Sequence, residues 1–493
     1  MAGPRPRSTD RRKGVPLTEI YIDGAWRKAA SGETIPVYEP ATGGRFAQIA
    51  AGGAADIDAA VAAARAAFEG AWGRTTATER GRLLTELSRR IAAEAEELAQ
   101  IEARDTGKPM KQARADIGAL VRYFEYYGGA ADKLHGEAIP YLNGYNVAVV
   151  NEPYGVTGHI IPWNYPAQMF GRTLAPALAA GNATVIKPAE DACLSIVRLA
   201  ALAHEAGFPP GAINLVTGLG EEAGAALAAH PGVDFISFTG SPEVGVLVQK
   251  AAAEHYAPCV LELGGKSPQI VFDDADLDAA IPIIIAAIVQ NGGQTCSAGS
   301  RVLVQEGVYD ALVGRLAERF KDLRVGSPDM DLDCGPLISA DQKRRVEGFV
   351  EGALRDGVPL IACGSVAEGA DANGYYVAPA LFGPAPRDNL IACEEVFGPV
   401  LVVLPFRDEA DAVALANATD YGLIAAVWTR DGARQQRMPR LLRCGQVFVN
   451  CYGAGGGVEL PFGGVGKSGH GREKGFHAIE EFCRTKTIVH HFG

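Results

Sequence analysis

Val156-Thr157-Gly158-His159-Ile160-Ile161, Ala183-Thr184-Val185-Ile186, Ile213-Asn214-Leu215-Val216, Val233-Asp234-Phe235-Ile236-Ser237-Phe238 and Cys259-Val260-Leu261-Glu262-Leu263 are short apolar runs with helical stretches between them. That rhythm predicts parallel strands joined by covering helices, an α/β fold in which ligands bind beyond the carboxyl ends of the strands. The unusual residues follow those ends: Pro162-Trp163-Asn164, Lys187-Pro188-Ala189-Glu190, Gly218-Leu219-Gly220, Thr239-Gly240-Ser241 and Gly264-Gly265.

Downstream, Asn291-Gly292-Gly293-Gln294-Thr295-Cys296-Ser297-Ala298-Gly299 follows the apolar run from Ile281 to Val289 and holds one cysteine among small residues. Small neighbours let the backbone pack closely and leave the sulfur approachable. A lone cysteine is ordinarily inert, so the argument needs partners. Glu262 is a carboxylate inside an apolar strand, where burial raises its pKa and suits it to act as a base toward a thiol or a water. Asn164 offers an amide donor able to hold an oxyanion. Nucleophile, base and oxyanion donor are all present.

Gly218-Leu219-Gly220-Glu221-Glu222-Ala223-Gly224 opens a helix after a strand, so its amides can approach a pyrophosphate, although the spacing is not G-x-G-x-x-G. Ser241 before Pro242 reads as a helix N-cap with proline at the first helical position.

Upstream, Glu19 to Trp26 reads as strand and turn, and Ala55 to Phe68, Thr78 to Thr106 and Ala113 to Tyr127 as helices with core-facing stripes. Asn143-Gly144 between two strand-like runs marks a hairpin, a projecting arm over Gly136 to Glu152. A second α/β set is expected from Asp276 to about Val458, with Val400 to Leu404 and Gly445 to Asn450 as strands. Thr485 to His490 reads as a terminal strand able to pair with the arm.

A chain of 493 residues, 48% hydrophobic, is too long for one core. Net charge -12 and a pI near 5.4 argue against nucleic-acid or anionic-membrane partners. No apolar run is long enough to span a bilayer. Nine widely spaced cysteines without Cys-x-x-Cys predict neither a disulfide framework nor a metal site, and fit a reducing cytoplasm. Residues 1–13 are basic, lack an apolar segment and read as a flexible tail.

Taken together, Pro162-Trp163-Asn164, Lys187-Pro188-Ala189-Glu190, Phe238-Thr239-Gly240-Ser241, the Glu262 motif, Gly293-Gln294-Thr295-Cys296 and Glu395-Val396-Phe397-Gly398-Pro399 resemble the NAD(P)-dependent aldehyde dehydrogenases over nearly the whole chain. The resemblance implies two Rossmann-like parallel-sheet domains and a small β oligomerisation arm. The coenzyme domain is expected at 14–133 and 153–262, the catalytic domain at 263–470, and the arm at 134–152 and 480–493, in a homodimer or homotetramer. It implies NAD as cofactor, met by Ile160, Pro162, Trp163, Lys187, Glu190, Gly220, Phe238, Gly240, Ser241, Gln342, Glu395 and Phe397. In the implied reaction Cys296 attacks the aldehyde, Asn164 and the Cys296 N–H hold the oxyanion, and Glu262 activates the water that hydrolyses the thioester. Two alternatives stand beside it: a CoA-acylating dehydrogenase, whose members typically lack the glutamate, and a non-catalytic NAD-binding structural protein.

For the substrate, the resemblance points to Tyr165, Met169 and Arg172 on a tunnel helix. Succinic semialdehyde dehydrogenases carry an arginine at the place of Arg172 and a second one six residues before the cysteine, where this chain has Gln290. The clamp is incomplete, and Gly455 to Gly457 leaves room at the tunnel mouth, so a medium-sized or aromatic aldehyde is expected, including those with a second carbonyl or a carboxylate. Many relatives follow the Arg172 position with a lysine on a proton path to the glutamate matching Glu473; Thr173 stands there instead.

Overall fold

A computed structural model of the chain describes residues 15–453 and 457–493. The five predicted runs form the parallel centre of an eight-stranded sheet, in the order Ala25–Arg27, Ile20–Ile22, Ile213–Leu215, Ala183–Pro188, Val156–Ile161, Phe235–Thr239, Cys259–Glu262, Gly469–His470. After two edge strands at Ile20–Ile22 and Ala25–Arg27, the parallel strands start in the middle at Val156–Ile161, build outward to one side, then return to build the other. The strand order therefore reverses between Val156–Ile161 and Phe235–Thr239, the crevice where doubly wound sheets bind ligands. Register brings the site to one edge: Ile160 lies beside Lys187 and Phe238, and Thr239 beside Glu262.

The second sheet has seven strands, in the order Leu360–Cys363, Ala380–Phe382, Val400–Phe406, Arg301–Gln305, Pro268–Val271, Ile424–Trp428, Gln446–Val449. All pair in parallel except the edge strand Leu360–Cys363. This sheet begins at Pro268, earlier than the expected Asp276, because the chain leaves the first sheet at Glu262 and crosses to the second through Gly264-Gly265. Later it crosses back, since Gly469–His470 pairs antiparallel with Leu261-Glu262.

Helix Pro166–Ala180 starts with proline in its first turn, ends where Gly181 turns left-handed (φ 108°), and is buried along almost its whole length. The stretch expected as one helix over 78–106 is two, Ala77–Ala93 and Ala95–Thr106; at the break Glu94 makes paired hydrogen bonds with Arg198. The arm is a three-stranded sheet in which Tyr145–Pro153 lies between Glu137–Ile139 and Cys483–His491, the last paired along its full length. Its first strand stops before Pro140, which lacks the N–H to continue a ladder, so residues 140–144 form a longer loop than an Asn-Gly turn requires. Among the described residues no helix is long and apolar enough to cross a membrane. The expected tail, 1–13, lies outside the described residues, as do two glycines of the 455–457 run.

Candidate active site

The cysteine loop is held by backbone that only small residues permit. Asn291, Gly292 and Gly293 are left-handed in succession (φ 51°, 63° and 73°), and a Cβ on Gly293 would lie 2.1 Å from the Gly398 carbonyl oxygen. A Cβ on Gly265 would lie 2.4 Å from the Cys296 carbonyl oxygen, so the glycine pair after Glu262 lets the cysteine loop close onto the crossing between the sheets. The Asn164 side-chain amide donates to the Gln294 carbonyl at 3.0 Å, and the Asn164 backbone carbonyl accepts from Asn291 Nδ2 at 3.0 Å. These bonds tie Asn164 to the cysteine loop, and its amide keeps a second N–H able to meet an oxyanion.

Cys296 packs against a cluster of Leu423, Ile424 and Phe462, together with Phe448 and Tyr452. Cys296 keeps partial exposure, yet burial around it pushes the thiol up to about 12 despite the opposing charge of Arg172. Burial, reinforced by Glu473, also holds the Glu262 carboxyl well above its usual range, against Arg172. Neither Glu262 oxygen makes a hydrogen bond among the described residues, and a Cβ on Gly463 would lie 2.8 Å from Oε1. Glycine at Gly463 thus keeps open the space around the carboxylate. Burial thus raises both the Cys296 thiol and the Glu262 carboxyl above their usual ranges.

Tyr165 and Thr295 share a hydroxyl–hydroxyl hydrogen bond of 2.8 Å, and Gln290 donates to Tyr165 Oη at 3.0 Å, so Gln290 braces the tunnel helix. Met169 packs into the core of the first sheet. Arg172 forms an ion pair with Glu473, and its Nη2 stands 3.5 Å from Glu262 Oε2.

On the other side of the crevice, Lys187 Nζ donates to Glu190 Oε2 at 2.7 Å, and the Gly220 N–H donates to Glu190 Oε1 at 3.3 Å. Ser241 caps helix Pro242–Ala253 through the Val244 N–H. Gly240 donates its N–H to the Glu262 carbonyl at 3.1 Å, and a Cβ there would lie 2.5 Å from the Phe238 ring. Pro162 leads into Trp163, whose ring meets Phe397 edge-on at 5.4 Å. Phe397 is left-handed (φ 57°), and Gln342 Nε2 donates to its carbonyl at 2.7 Å, so this amide fixes the Phe397 backbone. Glu395 accepts from the Gly265 N–H at 2.7 Å, and burial pushes its carboxyl up to about 7.

The family model described as "Aldehyde dehydrogenase family" matches residues 26–488. Retinal dehydrogenase 2 of Homo sapiens is 43% identical over 480 residues, 96% of this chain and 92% of that protein. The chain belongs to the aldehyde dehydrogenase family. A putative aldehyde dehydrogenase from Burkholderia cenocepacia, solved as a crystal structure, is 63% identical with a TM-score of 0.96, covering 96% of this chain and 100% of its own. PnpE from Pseudomonas sp. WBC-3, solved in complex with nicotinamide adenine dinucleotide, is 41% identical with a TM-score of 0.94, covering 97% and 98%.

This aldehyde dehydrogenase couples aldehyde oxidation to NAD, and its crevice fits that cofactor. Glu190 is a charged acceptor at the strand edge, able to take ribose hydroxyls. Ser241 and the helix it caps present N–H groups suited to a phosphate. Glu395 and the ring of Phe397 stand at the end nearest the cysteine loop.

Sequence reasoning missed a buried group behind Asn164. Lys108 Nζ donates to the Asn164 carbonyl at 3.0 Å and pairs with Asp116 at 2.6 Å and Glu102 at 3.4 Å, all three side chains fully buried. It also missed Tyr452, whose hydroxyl donates to the Ser297 carbonyl at 2.5 Å and pins the loop just past the nucleophile. The carbonyls they brace are distant in sequence, at Asn164 and Ser297.

Proposed function

We propose that this aldehyde dehydrogenase oxidises a medium-sized or aromatic aldehyde to its carboxylate, through a thiohemiacetal and a thioester on Cys296, with NAD⁺ preferred over NADP⁺. The observation that carries the substrate reading is the wall of Leu423, Ile424, Phe448, Tyr452 and Phe462 around the cysteine. Such a wall rewards an apolar or aromatic body by area removed from water, worth about 25 cal/mol per Å². Arg172 is already engaged by two carboxylates, which argues against a tightly held succinate-like substrate.

In this reading Cys296 releases its proton to solvent water, its sulfur attacks the carbonyl carbon, and the Asn164 amide and the Cys296 N–H hold the oxyanion. Bound NAD⁺ supplies the hydride acceptor. Glu262, once ionised, takes a proton from the water that attacks the thioester, and the thiol returns. The aromatic and aliphatic wall excludes bulk water from the acyl group.

The protein is further read as a cytoplasmic homodimer or homotetramer. None of its nine cysteines is paired, and the arm exposes Ile139, Tyr141, Leu142, Val489 and Phe492 beside strand edges suited to a second copy. Light scattering at micromolar concentration tests the assembly, and cell fractionation tests the location. A panel of aliphatic, aromatic, amino and acid semialdehydes tests the substrate. The highest kcat/KM is expected for an aromatic or medium-length aldehyde, and a higher value for succinic semialdehyde would overturn the reading. NADH formation without CoA is expected; a strict CoA requirement would favour the acylating alternative.

A further inference from the structure

Helix Pro166–Ala180 is packed on every side, so a charged residue in its middle is costly unless its charge is used. Arg172 is that residue. Through Nε it pairs with Glu473, through Nη2 it stands 3.5 Å from Glu262 Oε2, and its Cζ lies 4.2 Å from the centroid of the Phe462 ring. Phe462 and Glu473 are themselves locked together, each donating its N–H to the other's carbonyl at 2.6 and 2.8 Å. Carboxylate and ring therefore reach the guanidinium from one rigid bridge. Thr173, next on the helix, takes no part, because its hydroxyl donates back to the Met169 carbonyl at 3.0 Å.

We propose that Arg172 is a positioning residue for Glu262: bridged to Glu473 and braced on Phe462, it fixes the Glu262 carboxylate and governs when that carboxylate can take a proton from water, and it does not anchor a substrate carboxylate. This rests on the reading of Glu262 as hydrolytic base. A guanidinium stays charged across the working pH range, so it cannot relay a proton by losing its own. What it supplies is a constant field. Around Glu262 the charged and titratable groups are Arg172 from the helix, Glu473, Arg472 and Lys474 from the returning segment, and Cys296 from the nucleophile loop, with Tyr123 behind Arg172. Glu473 opposes ionisation of Glu262, while Arg172, Arg472 and Lys474 favour it. Removing Arg172 and removing Glu473 must therefore act in opposite directions.

The test follows the thioester hydrolysis rate against pH, using pre-steady-state NADH bursts, in Arg172→Met, Glu473→Gln, the double variant and Glu262→Gln, with Tm measured for each. Arg172→Met should move the acid limb of the hydrolysis rate to higher pH by about one unit, and Glu473→Gln should move it to lower pH by about the same. The double variant removes both charges, so it remains informative if Arg172→Met alone does not fold, and its limb should lie between those of the single changes. KM for a neutral aldehyde and for a carboxylate-bearing one of equal length should change in parallel. A stationary limb in Glu473→Gln, or a double-variant limb that coincides with that of Glu473→Gln, overturns the inference, as does an Arg172→Met effect confined to KM for the carboxylate-bearing aldehyde. Hydrolysis unaffected by Glu262→Gln would instead remove the base assignment beneath it.

Discussion

The two ends of the crevice carry charge differently. At the nucleotide edge, Lys187 and Glu190 form a 2.7 Å pair with 30% of the Glu190 side chain exposed, and against burial the lysine and backbone N–H groups together hold the carboxyl below its usual range. Around the nucleophile, burial wins: the Cys296 thiol is pushed up to about 12, the Glu262 carboxyl well above its range, and the Lys474 ammonium down to about 7. Glu395, at the crossing between the sheets, lies between these extremes at about 7. The nucleotide edge thus favours the charged form of its carboxylate, while burial around Cys296 disfavours the charged forms of the thiol, the Glu262 carboxyl and the Lys474 ammonium.

The sharpest way to break this contrast is at the sulfur. Cys296→Ala should lower NADH formation by about a thousandfold or more, because Cys296 is the group assigned to form the covalent intermediate. Near-normal turnover in that variant would end the covalent mechanism. Next in size, Glu262→Gln should slow steady-state turnover about a hundredfold yet keep the first burst of NADH, since the base is assigned to hydrolysis and not to hydride transfer. Equal losses in burst and steady state would place Glu262 in the first step instead.

Much of this contrast was legible in sequence, and the missing part has a physical reason. The five-run rhythm located the parallel sheet, and motifs following the strands fell at one edge because parallel strands end together. Glycine positions were readable as close approaches, and Gly265 and Gly293 prove to be such contacts. Arg172 was readable as a helix charge and, through the resemblance, as a residue toward the substrate. Its meaning depends on Glu473, which reaches the site only after the chain has built a second sheet and returned through Gly469–His470. The Lys108, Glu102 and Asp116 group was hidden for the same reason: the carbonyl it braces belongs to Asn164, on a different element.

A third test uses pH. In the proposed mechanism Cys296 acts in its ionised form, and burial pushes its thiol up to about 12, so the active fraction grows as pH rises. The kcat/KM for the aldehyde should increase by about tenfold or more between about pH 7 and pH 9, provided the fold is intact by circular dichroism over that range. A flat profile would mean that bound coenzyme reverses the effect of burial before chemistry begins.

The smallest expected effect lies at the opposite end, where no proton need move. Glu190 is ionised at rest, receives the Lys187 ammonium on one oxygen and the Gly220 N–H on the other, and faces the strand edge suited to a ribose. A carboxylate there accepts hydrogen bonds from ribose hydroxyls but repels a 2′-phosphate, while Lys187 tempers that repulsion. Glu190→Gln keeps the shape and one acceptor while removing the charge, and leaves Lys187 able to meet a phosphate. The ratio of kcat/KM for NAD⁺ over NADP⁺ should therefore fall by about tenfold, chiefly through a lower KM for NADP⁺, with kcat on NAD⁺ changed little. Lys187→Met should act oppositely on NADP⁺ by removing the only nearby cation of the pair. If both substitutions leave the ratio unchanged, coenzyme choice is made elsewhere along the crevice, and the resting charge at this edge serves the fold.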